Sequence, residues 1–253
     1  MRFPPARVAM CLLAAMATAT CGSPLGRQYE YEEQLYLSVN GAASAIVNAS
    51  IPALVALRRL PLDPSPSARP DREAVRRVLE AAGCEGVSVG QPWTRRGRRF
   101  IQMRLSTDDV RTLGRCALFS WSAYGLEAVE PDQLRFTQTV GAPLAGDPGA
   151  VNWDGSEIVG FKLHLPSKVL FQNVKRLADG ENGSLERGNI LSYEQYLKDR
   201  RAGTPVSIEV AMGADSILVR TLSLFGIAVA AALSVVGLLI WLTVRRGKAA
   251  AAR

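Results

Sequence analysis

The residues able to do chemistry are few and widely spaced. His164 is the one imidazole in a chain of 253 residues, and it falls on the polar side of an alternating run in which Phe161, Leu163 and Leu165 oppose Lys162 and His164. A single imidazole so placed reads as a surface or satisfied side chain before it reads as a general base. No Gly-x-Ser-x-Gly elbow, Walker loop, His-Glu-x-x-His pair or dinucleotide fingerprint occurs. The adjacent carboxylates Asp108 and Asp109 follow Thr107 at the start of a short segment that reaches Arg115, where acidic groups favour a helix N-terminus; they read as caps, not as a catalytic pair. Glycoside hydrolysis needs only two carboxylates, but their separation is set by the fold, and nothing in the spacing singles out a pair. No catalytic residue and no cofactor is assigned.

Other groups carry two readings each. Of four cysteines, Cys84 and Cys116 lie in the middle of the chain; in an oxidising compartment they can pair, and otherwise they are two buried thiols. The absence of Cys-x-x-Cys and the single His argue against a zinc site, so no metal is assigned. The run Thr94-Arg95-Arg96-Gly97-Arg98-Arg99 is either a hairpin tip with solvated charges or a cationic finger. As a finger, Arg95, Arg96, Arg98 and Arg99 would contact anionic headgroups or a partner, at about 1 kcal/mol for each basic residue near such a surface. Trp93, Trp121 and Trp153 line an apolar pocket or fill an ordinary core.

The elements that must position these groups can be read from periodicity. Tyr29, Tyr31, Leu35, Leu37 and Val39 alternate with Glu30, Glu32, Gln34 and Ser38, which predicts a half-buried strand. The acidic Tyr29 to Glu33 segment reads as the exposed face of an outer strand, where charge discourages edge-to-edge pairing. Asn40-Gly41 suits a two-residue type I′ turn, placing Val39 opposite Ala42 and Leu35 opposite Ile46. Ser50 and Pro52 announce a short helix over 53–58. Four prolines between Leu60 and Pro70 forbid regular structure there. Asp71 caps a helix over 72–82, with Val75, Val78, Leu79 and Ala82 on one face and Gly83 at its end.

Strands follow at Val87 to Val89 and Arg99 to Leu105, then a hairpin of Phe119 to Val129 with Leu134 to Val140. Residues 141–155, rich in Gly, Pro and Ala, read as a second flexible stretch, and the polar 179–189 run as an exposed loop. Ser192-Tyr193-Glu194-Gln195 has capping-box form and predicts a helix from Tyr193 to Arg201, a strand through Ile190 to Tyr193 being the competing assignment. Val206, Ile208, Val210 and Met212 alternate in a last strand. The expected fold class is α+β: a largely antiparallel sheet with a few short helices, plus one C-terminal transmembrane helix.

The two ends set the expected organisation. Arg2 and Arg7 precede an uncharged run over 8–20, too short to span a bilayer and suited to a secretory signal over 1–21. It closes on Thr18-Ala19-Thr20-Cys21-Gly22-Ser23, which has the form of a lipoprotein processing site with Cys21 as the lipidation candidate; ordinary cleavage after Ala19 is the alternative. Thr221 to Val244 is uncharged and long enough to cross a hydrocarbon core of about 30 Å. Arg245, Arg246, Lys248 and Arg253 follow it, against Arg220 alone on the near side, so the positive-inside rule puts the basic tail, 245–253, in the cytoplasm and the body, 22–219, outside. The basic residues at the ends have no acid among them and account for the whole net charge of +7. The body is left neutral, which removes nucleic acid as a partner.

The layout resembles the LppM-type family of bacterial envelope proteins. The segments that carry the resemblance are the hairpin Leu35-Tyr36-Leu37-Ser38-Val39-Asn40-Gly41-Ala42, the run from Leu163 through Leu165-Pro166 to Val169, the run from Gly188 to Tyr193, and the terminal span. The resemblance implies a non-enzymatic extracytoplasmic domain with affinity for envelope lipids, and it carries no ligand-binding residue onto this chain. The expectation is therefore a membrane-anchored binding or interaction module that takes a lipid, another amphiphile or an envelope protein. The alternatives are an envelope hydrolase with a carboxylate pair and a structural subunit of a membrane assembly.

Overall fold

The computed structural model describes residues 28–173, 177 and 188–251. The signal segment, Cys21 and most of the 179–189 run lie outside the described residues. Eleven strands, β1 (Tyr29–Leu37), β2 (Ala43–Ser50), β3 (Ser88–Val89), β4 (Trp93–Arg95), β5 (Arg98–Thr107), β6 (Ser122–Glu130), β7 (Gln133–Val140), β8 (Ile158–His164), β9 (Val169–Gln172), β10 (Ile190–Tyr196) and β11 (Val206–Gly213), form two sheets. Four helices, α1 (Ile51–Arg58), α2 (Arg72–Ala81), α3 (Leu197–Arg201) and α4 (Ile217–Ala251), and a 3-10 turn at Val110–Arg115 complete the described chain. The class is α+β with largely antiparallel sheets.

The seven-stranded sheet runs β10-β8-β1-β2-β5-β3, with β4 hydrogen-bonded to β5; the four-stranded sheet runs β6-β7-β11-β9. The pair β1–β8 is parallel and every other strand pair among the described residues is antiparallel. Both sheets contribute to one core, in which Leu35, Val47, Ile101, Met103 and Phe161 share an interior with Phe136, Ile208, Val210 and Met212. Strand β1 is therefore central, not an outer strand, and its acids face neighbours on both sides.

The turn after β1 differs from the two-residue expectation. Val39 and Asn40 are the central residues of a turn closed by the Gly41 amide on the Ser38 carbonyl at 3.1 Å, and Gly41 holds φ at +91° while Asn40 stays out of the left-handed region. This is a three-residue loop, a type I turn with a left-handed glycine after it. The pairing is accordingly Leu35 with Ala45 and Leu37 with Ala43. Small residues of β2 (Ala43, Ala45, Ala49) thus meet the large inward side chains of β1.

Local signals for the first helices are realised as capping. The Ser50 hydroxyl accepts from the Ala53 amide at 3.1 Å and begins α1, all of whose residues are buried. Asp71 accepts from the Glu73 and Ala74 amides and begins α2, which buries Val75 and Leu79. The proline-rich connection between them carries no regular element. The capping-box reading of Ser192 is overturned, because Ile190 to Tyr196 pairs residue for residue with β8 from His164 back to Ile158. Helix α3 begins only at Leu197. Residues 141–157 have no regular structure, yet Leu144 and Gly146 donate to the Leu57 and Ala56 carbonyls at 3.1 Å each and so satisfy the C-terminal end of α1.

Candidate functional site

The arginine run folds as the β4–β5 hairpin, with Arg96 and Gly97 at its tip in left-handed conformation. Its four cations have different fates. Arg95 and Arg99 are half-buried and Arg96 is exposed, whereas Arg98 turns inward and is 8% exposed. A surface contact for Arg98 does not fit this geometry: its Nε lies 3.0 Å from Oε1 of Glu30, its Nη1 lies 3.9 Å from Glu157 and donates to the Asn152 carbonyl at 2.9 Å. Arg96 donates to the Gln28 side chain. The remaining groups of this network close over the carboxylates. Gln28 donates to Glu30 and Glu157 at 3.4 and 3.3 Å, Trp153 Nε1 donates to Glu30 at 3.3 Å, and the Asp154 and Gly155 amides donate to Glu157 at 2.9 Å. Burial pushes the Glu30 carboxyl above the usual range, against the opposing pull of the Ser50 hydroxyl and the Arg98 charge.

Glu30 and Glu157 are the two acids that converge, but they are 0% and 1% exposed. A general acid must reach its substrate, and here the 152–157 segment lies over both. The arrangement is that of a buried ion network.

A second interior cluster surrounds Glu33. Tyr124 Oη and Gln138 Nε2 donate to its Oε1 at 2.7 and 2.8 Å, and Tyr31 Oη donates to Oε2 at 3.4 Å. Burial raises the Glu33 carboxyl, while these hydrogen bonds and the Arg58 charge lower it. Trp121 takes the guanidinium groups of Arg58 and Arg200 at 4.8 and 5.4 Å from its ring centroid, a cation–π arrangement inside the body. The three tryptophans do not share a pocket. Trp121 packs on Tyr31 and Phe161, Trp93 stacks on Phe100 and is exposed, and Trp153 is tied to Glu30.

Cys84 and Cys116 are bonded to each other, both buried, and join the C-terminal end of α2 to the 3-10 turn. Asp109 caps that turn by accepting from the Arg111 amide at 3.0 Å and also holds the Arg111 guanidinium. Asp108 borders a polar cleft of about 510 Å³ beside the disulfide and another of about 290 Å³ against β6. His164 stacks on Tyr36 with centroids 3.9 Å apart. No cluster of three or more metal-ligating side chains occurs among the described residues.

The apolar opening lies elsewhere. A cavity of about 250 Å³ is bounded by Leu62 of the proline-rich connection, by Ile51 at the start of α1, and by Ala74, Val75 and Val78 of α2, with Asp63, Arg69 and Asp71 at the wall. Sequence reasoning assigned Val75 and Val78 to a core-facing stripe and the prolines to a linker. The amphipathic pattern was the available signal, since Val78 is only half-buried by the body.

Helix α4 contains a stretch, Thr221–Leu242, of 22 residues that is long and apolar enough to cross a membrane and has no residue buried against the body. No protein-family model matches the chain, and no curated protein matches it. Among solved structures, it is similar to the folded domain of the Mycobacterium tuberculosis LppM protein, with a TM-score of 0.40 and 11% identity over 74% of this chain and 91% of that one. The likeness is a loose one of fold, and no residue role follows from it.

Proposed function

We propose that this chain is a membrane-anchored binding module of the bacterial envelope, with its body outside the cytoplasm, and that it holds the apolar end of an amphiphile in the cleft between the proline-rich connection and α2. The uncovered apolar helix α4 carries the reading: a solvent-exposed stretch of that length has no place in water and matches the hydrocarbon thickness. The cleft supports the second half. Its apolar side chains suit an acyl tail, and Asp63, Arg69 and Asp71 at the wall set charges of both signs around the polar end. At about 250 Å³ it is smaller than the roughly 300–1,000 Å³ of drug-sized pockets, so it takes the end of one chain and not a whole lipid. In this reading the chain is a binder, not an enzyme.

The test uses the intact protein in native membranes with a diazirine-bearing fatty acid as the probe. Photocrosslinks are expected on the segment from Leu62 to Val78, and Val78→Glu should abolish them while crosslinks to α4 persist. Crosslinks confined to α4 in the unaltered protein would refute the cleft as the binding site.

A further inference from the structure

Strand β9 is the edge of the four-stranded sheet and leaves two large apolar side chains uncovered. Leu170 is 49% and Phe171 53% exposed. Val169 beside them packs against the core, so the inward side of the strand is covered and the uncovered surface is that of Leu170 and Phe171. A β-bulge contributes: Val169 opposes Met212 and Phe171 opposes Ala211, leaving Leu170 as the extra residue. An edge strand with two uncovered large apolar side chains is an aggregation hazard unless something covers them.

What lies beside it is the root of α4. The Gly213 amide donates to the Lys168 carbonyl at 3.0 Å, Ser167 Oγ donates to the Asp215 carbonyl at 2.8 Å, and the Ile217 amide donates to the Pro166 carbonyl at 2.9 Å. These contacts fasten the segment entering α4 to the segment entering β9, so the helix leaves the body at a fixed point and not from a slack linker. Four residues at 1.5 Å each separate Ile217 from the apolar stretch that begins at Thr221, which is about 6 Å of helix. The headgroup region on each side of a bilayer is about 5–8 Å deep, from a hydrocarbon core of about 30 Å in a total of about 40–45 Å. The clamp therefore sits at headgroup level. Phe171 lies two residues beyond Val169 along the strand, about 7 Å farther from the span at 3.3 Å per residue, so contact with the headgroup layer requires the body to lean toward this edge, within the roughly 0–40° range of helix tilts.

We infer that the β9 edge is a lipid-docking surface: Leu170 and Phe171 insert into the headgroup layer, and the exposed Lys168 beside them lies against lipid phosphates. The body rests on the membrane at this edge. The inference rests on the reading of α4 as a membrane span, and the occupant is the bilayer because the edge is continuous with that span.

The experiment places a nitroxide by Phe171→Cys, Leu233→Cys or Leu144→Cys in the full chain, with Cys11 and Cys21 replaced by Ser and the Cys84–Cys116 bond intact. The protein is reconstituted in nanodiscs of phosphatidylethanolamine and phosphatidylglycerol, and collisions with oxygen and with a water-soluble nickel chelate are compared. Leu233 lies within the apolar stretch, and Leu144 is exposed beyond the far end of β7. The label at 233 should favour oxygen, that at 144 should favour nickel, and that at 171 should fall between them. Leu170→Glu should shift the 171 label toward the value at 144. A 233 label that favours nickel overturns the membrane reading itself. A 233 label in hydrocarbon with 171 indistinguishable from 144 overturns the docking alone, and low collision rates at 171 with both reagents would seat a second copy on the edge and overturn it too.

Discussion

Arg98→Met tests the assignment of Arg98 to the interior. Methionine keeps most of the stem's packing and removes the charge, leaving the Glu30 carboxylate with Trp153, Gln28 and the Ser50 hydroxyl but no cation at 3.0 Å. Removing one partner of a buried pair costs about 3–5 kcal/mol, because the other charge remains uncompensated. At about 2–4 °C of Tm per kcal/mol for a domain of this size, the expected fall is about 6–20 °C. The readout is thermal unfolding of the intact protein in mild detergent, followed by tryptophan fluorescence at neutral pH. Adding Glu30→Gln to Arg98→Met should recover part of the loss, since the carboxylate nearest the lost cation is then gone while Glu157 keeps the Asp154 and Gly155 amides. The Arg98 charge lowers the Glu30 pKa, so its loss raises that pKa further; the destabilisation should be greatest above the variant's folded pKa and shrink as the pH falls through it. Arg95→Met and Arg99→Met, at half-exposed positions, should leave stability within about 0.5 kcal/mol of the parent. A loss below about 1 kcal/mol for Arg98→Met, or no recovery in the double variant, would refute the reasoning, since about 3–5 is expected for a broken buried pair.

Two further perturbations follow from the interior. The Cys84–Cys116 bond closes a loop with a sequence separation of 32, which the chain-entropy relation converts to about 3.5–4 kcal/mol; Cys84→Ala with Cys116→Ala should lower the denaturant midpoint accordingly, and an unchanged midpoint would show that the bond restrains nothing. Glu33 has a folded pKa raised chiefly by burial, so the native state holds its proton over a window in which the unfolded chain has released it, and this group's contribution to stability falls as pH rises from the ordinary glutamate value through the folded one. Glu33→Gln keeps an acceptor for Tyr124 and Gln138 while losing the charge. The Tm difference between variant and parent should therefore grow in the variant's favour across that window, and a difference independent of pH would count against a buried, proton-linked Glu33.

Much of the local structure was legible because it is written in short-range patterns. Alternation marked β1 and β11, and Ser50 and Asp71 marked the two capped helices, each through atoms within three residues of one another. The β1–β8 pairing was not legible, since it joins strands that lie half the chain apart and only the tertiary fold brings them side by side. The same cause defeated the capping box at Ser192. Its four-residue signal is genuine locally, but the free edge of β8 offers a full ladder to Ile190 through Tyr196, and that outweighs one capping interaction.

Buried charge was the deeper difficulty, and parity explains both what could be seen and what could not. Glu33 shares its side of β1 with Tyr31 and Leu35, so alternation alone places it inward; treating the acids as one exposed face discards that information. Glu30 and Arg98 differ. Glu30 has the opposite parity to Glu33, on the face of β1 that alternation assigns to solvent. Arg98 shares its side of β5 with Phe100, opposite to Ile101, Met103 and Leu105. Their burial requires a second cover on the outer face of the sheet, and the 152–157 segment supplies it through the Asn152 carbonyl, the Trp153 ring nitrogen and the Glu157 carboxylate. That segment has no periodicity and overlaps the Gly- and Pro-rich stretch whose composition reads as flexible. Its order comes from the charges it covers, so neither the loop nor the ion pair could be inferred without the other.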